Sequence, residues 1–479
     1  MVASTEEPET GLAGFSERNT SIHVHVARWR VNPKRSAPTS VVASTSSSKP
    51  HLGYPSPIPR QPGQRNAFKE QFFSLYLAQT FPRICNPGTS FAGSNNWMLE
   101  VLRLPALSPA LENATLAVCA AKLGRRDQKP DLVHQSLGLY TQSLHEFSYE
   151  VGNVSSRRNE QTLAACMVMM TYEVSECPGG NPDGYQAHYA GTMRLLEMRG
   201  PEAHISGLAH SIFQSLRVHT MYQSFIQRSK AMLSKPEWCN VPFDRPKDHF
   251  DQLIDILLDI PSHFSERRHI GKMTDPQLIL QYSLDTVRQS LQTEERLADW
   301  FGSFEDTVPG PLYYPELSIR QCASDERALG MLFPIAFRFP APSVAQNLIF
   351  YWTALLSIHA HLISIYDMLS GLMDTLDMIR ADLPCTCDFG CLRHFEMGSL
   401  PPLGHRRDWP RTIAYDICQS MEYCLQDNGR GFGPVSVLPV LSVVKAHWTY
   451  WPGDWTREIA WVDEVLLELG QKSTIARFL

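Results

Sequence analysis

From Ala67 to the C-terminus, large apolar side chains recur every three or four positions. That is the period of an α-helix with one buried face. SLGLYTQSLHEFSYEV (136–151) sets Leu137, Tyr140, Leu144 and Phe147 on one expected core face. EQTLAACMVMMTYEV (160–174) is apolar nearly all round and predicts a central helix, with MVMM as core. NATLAVCAAKLG (113–124) predicts a helix capped by Gly124. GYQAHYAGTMRLLEMRGP (184–201) predicts a stop at Gly200-Pro201. Within it, Ala187, Ala190, Gly191 and Arg194 form a small-residue face open to a close neighbour. Further helices are predicted over 68–81, 207–228, 249–260, 275–301, 347–379, 409–426, 439–451 and 455–473. No convincing alternating strand follows residue 31. The pattern predicts an all-α fold, one large multi-helix domain over 67–479.

Residues 1–66 differ. They are rich in Ser, Thr and Pro, too poor in large apolar groups to offset ordering entropy, and predict a disordered leader. SIHVHVARWRV (21–31) alternates within it, but a lone strand is not stable. The most apolar run, NLIFYWTALLSIHAHLISIYDML (347–369), is interrupted by His359, His361 and Asp367. It predicts a buried helix rather than a membrane span. No secretory signal pattern opens the sequence.

The 479 residues are 43% hydrophobic and carry a net charge of −6. That suits a large core and does not advertise nucleic-acid binding. The eleven cysteines are an odd set, and Cys119, Cys166, Cys418 and Cys424 stand in apolar helical text. This usage predicts reduced thiols in an intracellular protein.

Motifs of enzyme chemistry are missing: there is no G-x-x-x-x-G-K-[ST], H-E-x-x-H or G-x-S-x-G. GRGFGP (429–434) follows a helix, not a strand, and reads as a helix stop. Glu294, Glu295, Glu464 and Glu468 read as solvated helix faces, and His210 as a structural histidine. The expectation is a non-enzyme without cofactor. One stretch, ADLPCTCDFGCLRHF (381–395), gathers Cys385, Cys387, Cys391 and His394. The ligand types suit zinc, but Cys385-Thr-Cys387 leaves one intervening residue where structural zinc usually takes two. The expectation is a cysteine-bearing structural loop, with these four as metal-ligand candidates.

Three stretches in order carry a family resemblance. They are MMTYEVSECPGGNPDGYQAHYAGTMRLLEMRGP (169–201), SIFQSLRVHTMYQSFIQRSKAMLSKPEWCNVPF (211–243), and AYDICQSMEYCLQDNGRGFGPVSVLPVL (414–441) with TREIAWVDEVLLELG (456–470) behind it. Together they resemble the fungal-specific transcription factor domain, the helical regulatory region C-terminal to the zinc cluster of fungal Zn(2)Cys(6) regulators. The resemblance implies an all-helical domain, a nuclear location and a role in transcription, often of metabolic or secondary-metabolite gene clusters. It implies protein partners (full-length family members or transcription machinery) and a small metabolite as effector. The departure is at the N-terminal side. The family's DNA-binding module needs six cysteines, yet residues 1–84 contain none and no C-x-x-C pair occurs. Without thiolates such a module does not fold. Arg28, Arg30, Lys34 and Arg35 are the candidates for nonspecific phosphate contact, in what otherwise reads as a basic linker. The expected protein is a regulator that binds DNA weakly or indirectly and does not engage membrane. The alternative is a helical pathway enzyme or a metabolite-binding protein.

Overall fold

The computed structural model describes residues 67, 69–76, 96–176, 182–322, 325, 330–377, 383, 385, 391–425 and 434–472. The expected leader over 1–66, with its four basic candidates, lies outside them. The described chain is overwhelmingly helical, as its periodicity predicts. Residues 69–76 form α1. α2 (Asn96–Arg103), α3 (Pro109–Arg126), α4 (Pro130–Gly152), α5 (Glu160–Glu176), α6 (Asp183–Arg199) and α7 (Gly207–Gln227) follow. Then come the short α8 (Pro236–Asn240), α9 (His249–Ile270), α10 (Pro276–Glu305), α11 (Pro342–Leu376), α12 (Trp409–Leu425), α13 (Pro434–Tyr450) and α14 (Thr456–Lys472).

Starts and stops follow side-chain chemistry. Ser108 accepts from the Leu111 amide at 3.4 Å, and Pro109 opens α3. Asp275 accepts from Gln277 N at 2.9 Å ahead of Pro276 in α10. Both are cap-plus-proline starts. α6 stops where predicted, with Gly200 at φ 79° before Pro201. Gly124 is a correction: α3 runs two residues past it, and the cap is Asp127. A Cβ at Gly124 would lie 2.8 Å from Val133 Cγ2, so the glycine serves close packing of α3 on α4.

The same contact corrects the phase of α4. Leu137 and Leu144 are 40% and 37% exposed, while Leu132, Ser136, Leu139, Tyr140 and Ser143 are buried. Ser136 and Ser143 are polar, yet they face the core because each satisfies its hydroxyl there. Ser143 Oγ donates to Ala110 O at 2.8 Å, and Ser136 Oγ donates to Val133 O at 2.6 Å. Small hydroxyls thus admit the neighbouring helix that leucines would hold off. On α6 the correction is similar. Ala187, Ala190 and Arg194 are exposed; of the predicted face Gly191 meets a neighbour, where a Cβ would lie 3.6 Å from Cys166 Sγ, and the closest approach is at Gly184.

α11 is 35 residues, about 50 Å long, and packs against α9, α10, α12 and α13. It is long and apolar enough to cross a membrane, but 83% of its most apolar window is buried against the rest of the chain. Phe350 packs on Tyr222 and Phe250, and Trp352 on Tyr313 and Phe337. The aromatic run is core, as predicted. Two short strands are a further correction: β1 (Tyr314–Leu317) pairs antiparallel with β2 (Ile335–Arg338), with Tyr314 opposite Arg338. Four residues are too few for a period-2 pattern, and Pro315 disguises β1 further. Glu294 is another. Its carboxylate accepts from His359 Nε2 at 2.9 Å and from Arg406 Nε at 2.8 Å, between α10 and α11. Burial alone would raise this carboxyl, but the two donors hold it below the usual range. It is a cross-helix pin rather than a solvated charge.

Candidate functional site

The first resembling stretch forms a polar seam between α4, α5 and α6. The Tyr140 hydroxyl donates to Glu173 and meets His188 Nε2 at 2.8 Å. Tyr172 stacks on Tyr140 with ring centroids 4.4 Å apart, and its hydroxyl meets Ser136 Oγ at 3.0 Å. Burial pushes the Glu173 carboxyl up, against the Tyr140 hydrogen bond, and lowers His188 to about 4. A carboxyl, a phenol and an imidazole in series are acid–base types. Here they are closed in. A Cβ at Gly184 would lie 2.5 Å from the Glu173 carboxyl carbon, so any larger residue there would have to displace that carboxylate. The seam braces three helices.

The second stretch builds a buried charge knot. Arg217 on α7 is 1% exposed and ion-paired to both Asp251 and Asp255 of α9. Its Nη2 also donates to Asp251 O at 2.9 Å, and Gln214 Nε2 reaches Asp251 Oδ2 at 3.0 Å. Lys247 pairs with Asp255. The guanidinium lies 5.0 Å from the Phe243 ring, and Phe213 stacks on Trp238 at 5.9 Å. Phe243 of the closing P-F text thus covers Arg217, and Trp238 packs behind it on Phe213. Burial pushes the Asp251 carboxyl up while Arg217 pulls it down. His210 is structural, as predicted: its Nδ1 bonds His204 O at 2.9 Å.

The third stretch holds the β-hairpin. Glu422 on α12 accepts from Ser318 Oγ at 2.7 Å, Ile319 N at 3.0 Å and Arg320 N at 3.2 Å, and from Arg338 Nη2 at 2.7 Å. Arg320 extends the network to Glu468 of α14 at 2.7 Å. The cavity beside Glu422 holds only about 10 Å³, room for a water at most. A larger surface cleft of about 300 Å³ is lined by Ser265, His269, Tyr282, Asp285, Thr286 and Gln289.

Of the sequence-predicted ligands, the structure brings together Cys385, Cys391 and His394, whose ligand atoms all lie within 4.8 Å of one another. Cys387 lies outside the described residues, as do Arg28, Arg30, Lys34 and Arg35. Cys119, Cys166, Cys418 and Cys424 are buried; burial raises the Cys166 thiol to about 12, far from a reactive thiolate. Sequence reasoning missed Arg217, whose charge in apolar text was the available signal, and Glu422, whose donors lie about a hundred residues away.

Comparison with known proteins finds similarity over part of the chain. Residues 71–287, from α1 into α10, match the model of the fungal specific transcription factor domain. An uncharacterized protein of Emericella nidulans is 24% identical over 174 residues, 36% of this chain and 37% of that protein. The match thus spans little more than a third of that relative's length. No solved structure matches. The matched segment, residues 71–287, contains both the Tyr140–Glu173–His188 seam and the Arg217 knot, and over these residues the chain is similar to the fungal specific transcription factor domain.

Proposed function

We propose that this protein is a nuclear regulator of transcription, working through its helical surfaces on a partner that reads DNA. The observation that carries the reading is the family match over residues 71–287, in which the buried seam and knot account physically for the resembling text. Regulation of a metabolic or secondary-metabolite gene cluster, in response to a small metabolite, is the finer form of the same reading. The surface cleft of about 300 Å³ at His269 and Tyr282 supports a site for an effector of modest size. The partner is a full-length family member or a component of the transcription machinery.

Cysteine content within residues 1–479 supports this division of labour. Residues 1–84 contain none, so no six-cysteine cluster is written there. A net charge of −6 adds no general attraction to phosphate. Purified chain mixed with promoter fragments in a mobility-shift assay is expected to bind weakly and equally to all sequences. What binding there is should vanish toward roughly 150 mM salt, as nonspecific phosphate contact does. Tight binding to one sequence, surviving that salt, overturns the assignment of DNA reading to a partner.

A further inference from the structure

The segment after α11 has the makings of a metal site outside the family-matched region. Cys391 and His394 are joined by a tight turn: His394 N donates to Cys391 O at 3.1 Å and Phe395 N to the same oxygen at 2.9 Å. Two residues separate them, the spacing at which a chelating turn aims both ligands at one ion. Cys385 Sγ lies 3.7 Å from His394 Nδ1. Zinc bonds of about 2.3 Å to sulfur and 2.0 Å to nitrogen, at tetrahedral angles, require S···N and S···S edges of roughly 3.5 and 3.8 Å. The measured S···N separation is close to that edge. The full trio, within 4.8 Å, needs about an ångström of closure.

The platform is built. Cys391, Leu392 and Phe395 are buried, and Leu392 N donates to Gln277 Oε1 at 2.9 Å on the first turn of α10. Cys385 and His394 are exposed, so an ion can enter. Two thiolates and a neutral imidazole neutralise a divalent charge, and the thiol protons leave to solvent on binding. We propose that Cys385, Cys391 and His394 bind a thiophilic divalent cation of the zinc class, clipping the loop after α11 to the start of α10. The remaining tetrahedral position goes to water or a further donor. Cys387 lies between the ligands in sequence, outside the described residues, and the proposal does not depend on it.

The test is metal content of the full chain, purified without added zinc and dialysed, with the zinc-replaced cobalt form read by its visible bands. One ion per chain and the bands of a four-coordinate thiolate site are expected. Cys385→Ser and His394→Gln change exposed side chains and should keep the helical circular dichroism while each loses the ion at least tenfold more readily to a chelator. No stoichiometric metal, retention equal to the parent in both variants, or a Cys385–Cys391 disulfide in protein kept under reductant-free nitrogen overturns the proposal.

Discussion

Arg217→Ala is expected to lose about 3–5 kcal/mol of stability, the usual cost of removing one partner from a buried ion pair. The reason is geometric. Asp251 is 8% exposed and held by Arg217, so the variant strands a carboxylate in the core. Against a typical total of about 5–15 kcal/mol, that loss brings the domain near unfolding. Arg217→Lys should recover only part, because one ammonium cannot bond Asp251 and Asp255 as the two guanidinium nitrogens do. Arg217→Met combined with Asp251→Asn should be less destabilised than the sum of its single variants. Urea titrations of the four proteins check this. Strict additivity would mean the knot is not a coupled unit.

Glu422→Ala is expected to cost about 2–4 kcal/mol, since several donors lose one charged acceptor. Ser318, Ile319, Arg320 and Arg338 all converge on this carboxylate. Burial would raise its affinity for a proton, but those donors win and hold it below the usual carboxylate range. The sign follows. A depressed folded pKa gives stability that is present above the unfolded value and lost as pH falls through the folded one. The parent and the variant should therefore differ most at neutral pH and converge in acid below the ordinary carboxylate range. Amide exchange at Ile319 and Arg320 should accelerate in the variant while α3–α5 stay protected. Unchanged exchange at these two amides would refute the hub.

How much of this was legible depends on whether a feature is local. Helix identity was, because apolar spacing and caps such as Ser108-Pro109 lie within one turn. The phase of α4 was not, because Ser136 and Ser143 are buried by virtue of hydrogen bonds that composition cannot reveal. β1 and β2 were too short to declare a period. Glu294 passed for a surface charge because His359 and Arg406 are 65 and 112 residues away. The thiol–imidazole loop was legible as ligand types. The Cys391-to-His394 spacing is also written in the sequence, but as a cysteine–histidine pair and not a C-x-x-C. The resembling stretch 211–243 contained Phe213, Arg217, Trp238 and Phe243, but Asp251 and Asp255, which explain the arginine, stand beyond its end.

The central claim is that the folded helical module itself regulates transcription. The direct measurement fuses the chain to an unrelated DNA-binding domain in a fungal host and reads a reporter carrying that domain's site. The account predicts a change in reporter output with the parent fusion. It also predicts loss of that change in Arg217→Ala, with retention in a control such as Leu467→Ala, whose side chain is 66% exposed. A reporter indifferent to the parent fusion, at matched protein level in the nucleus, would contradict it.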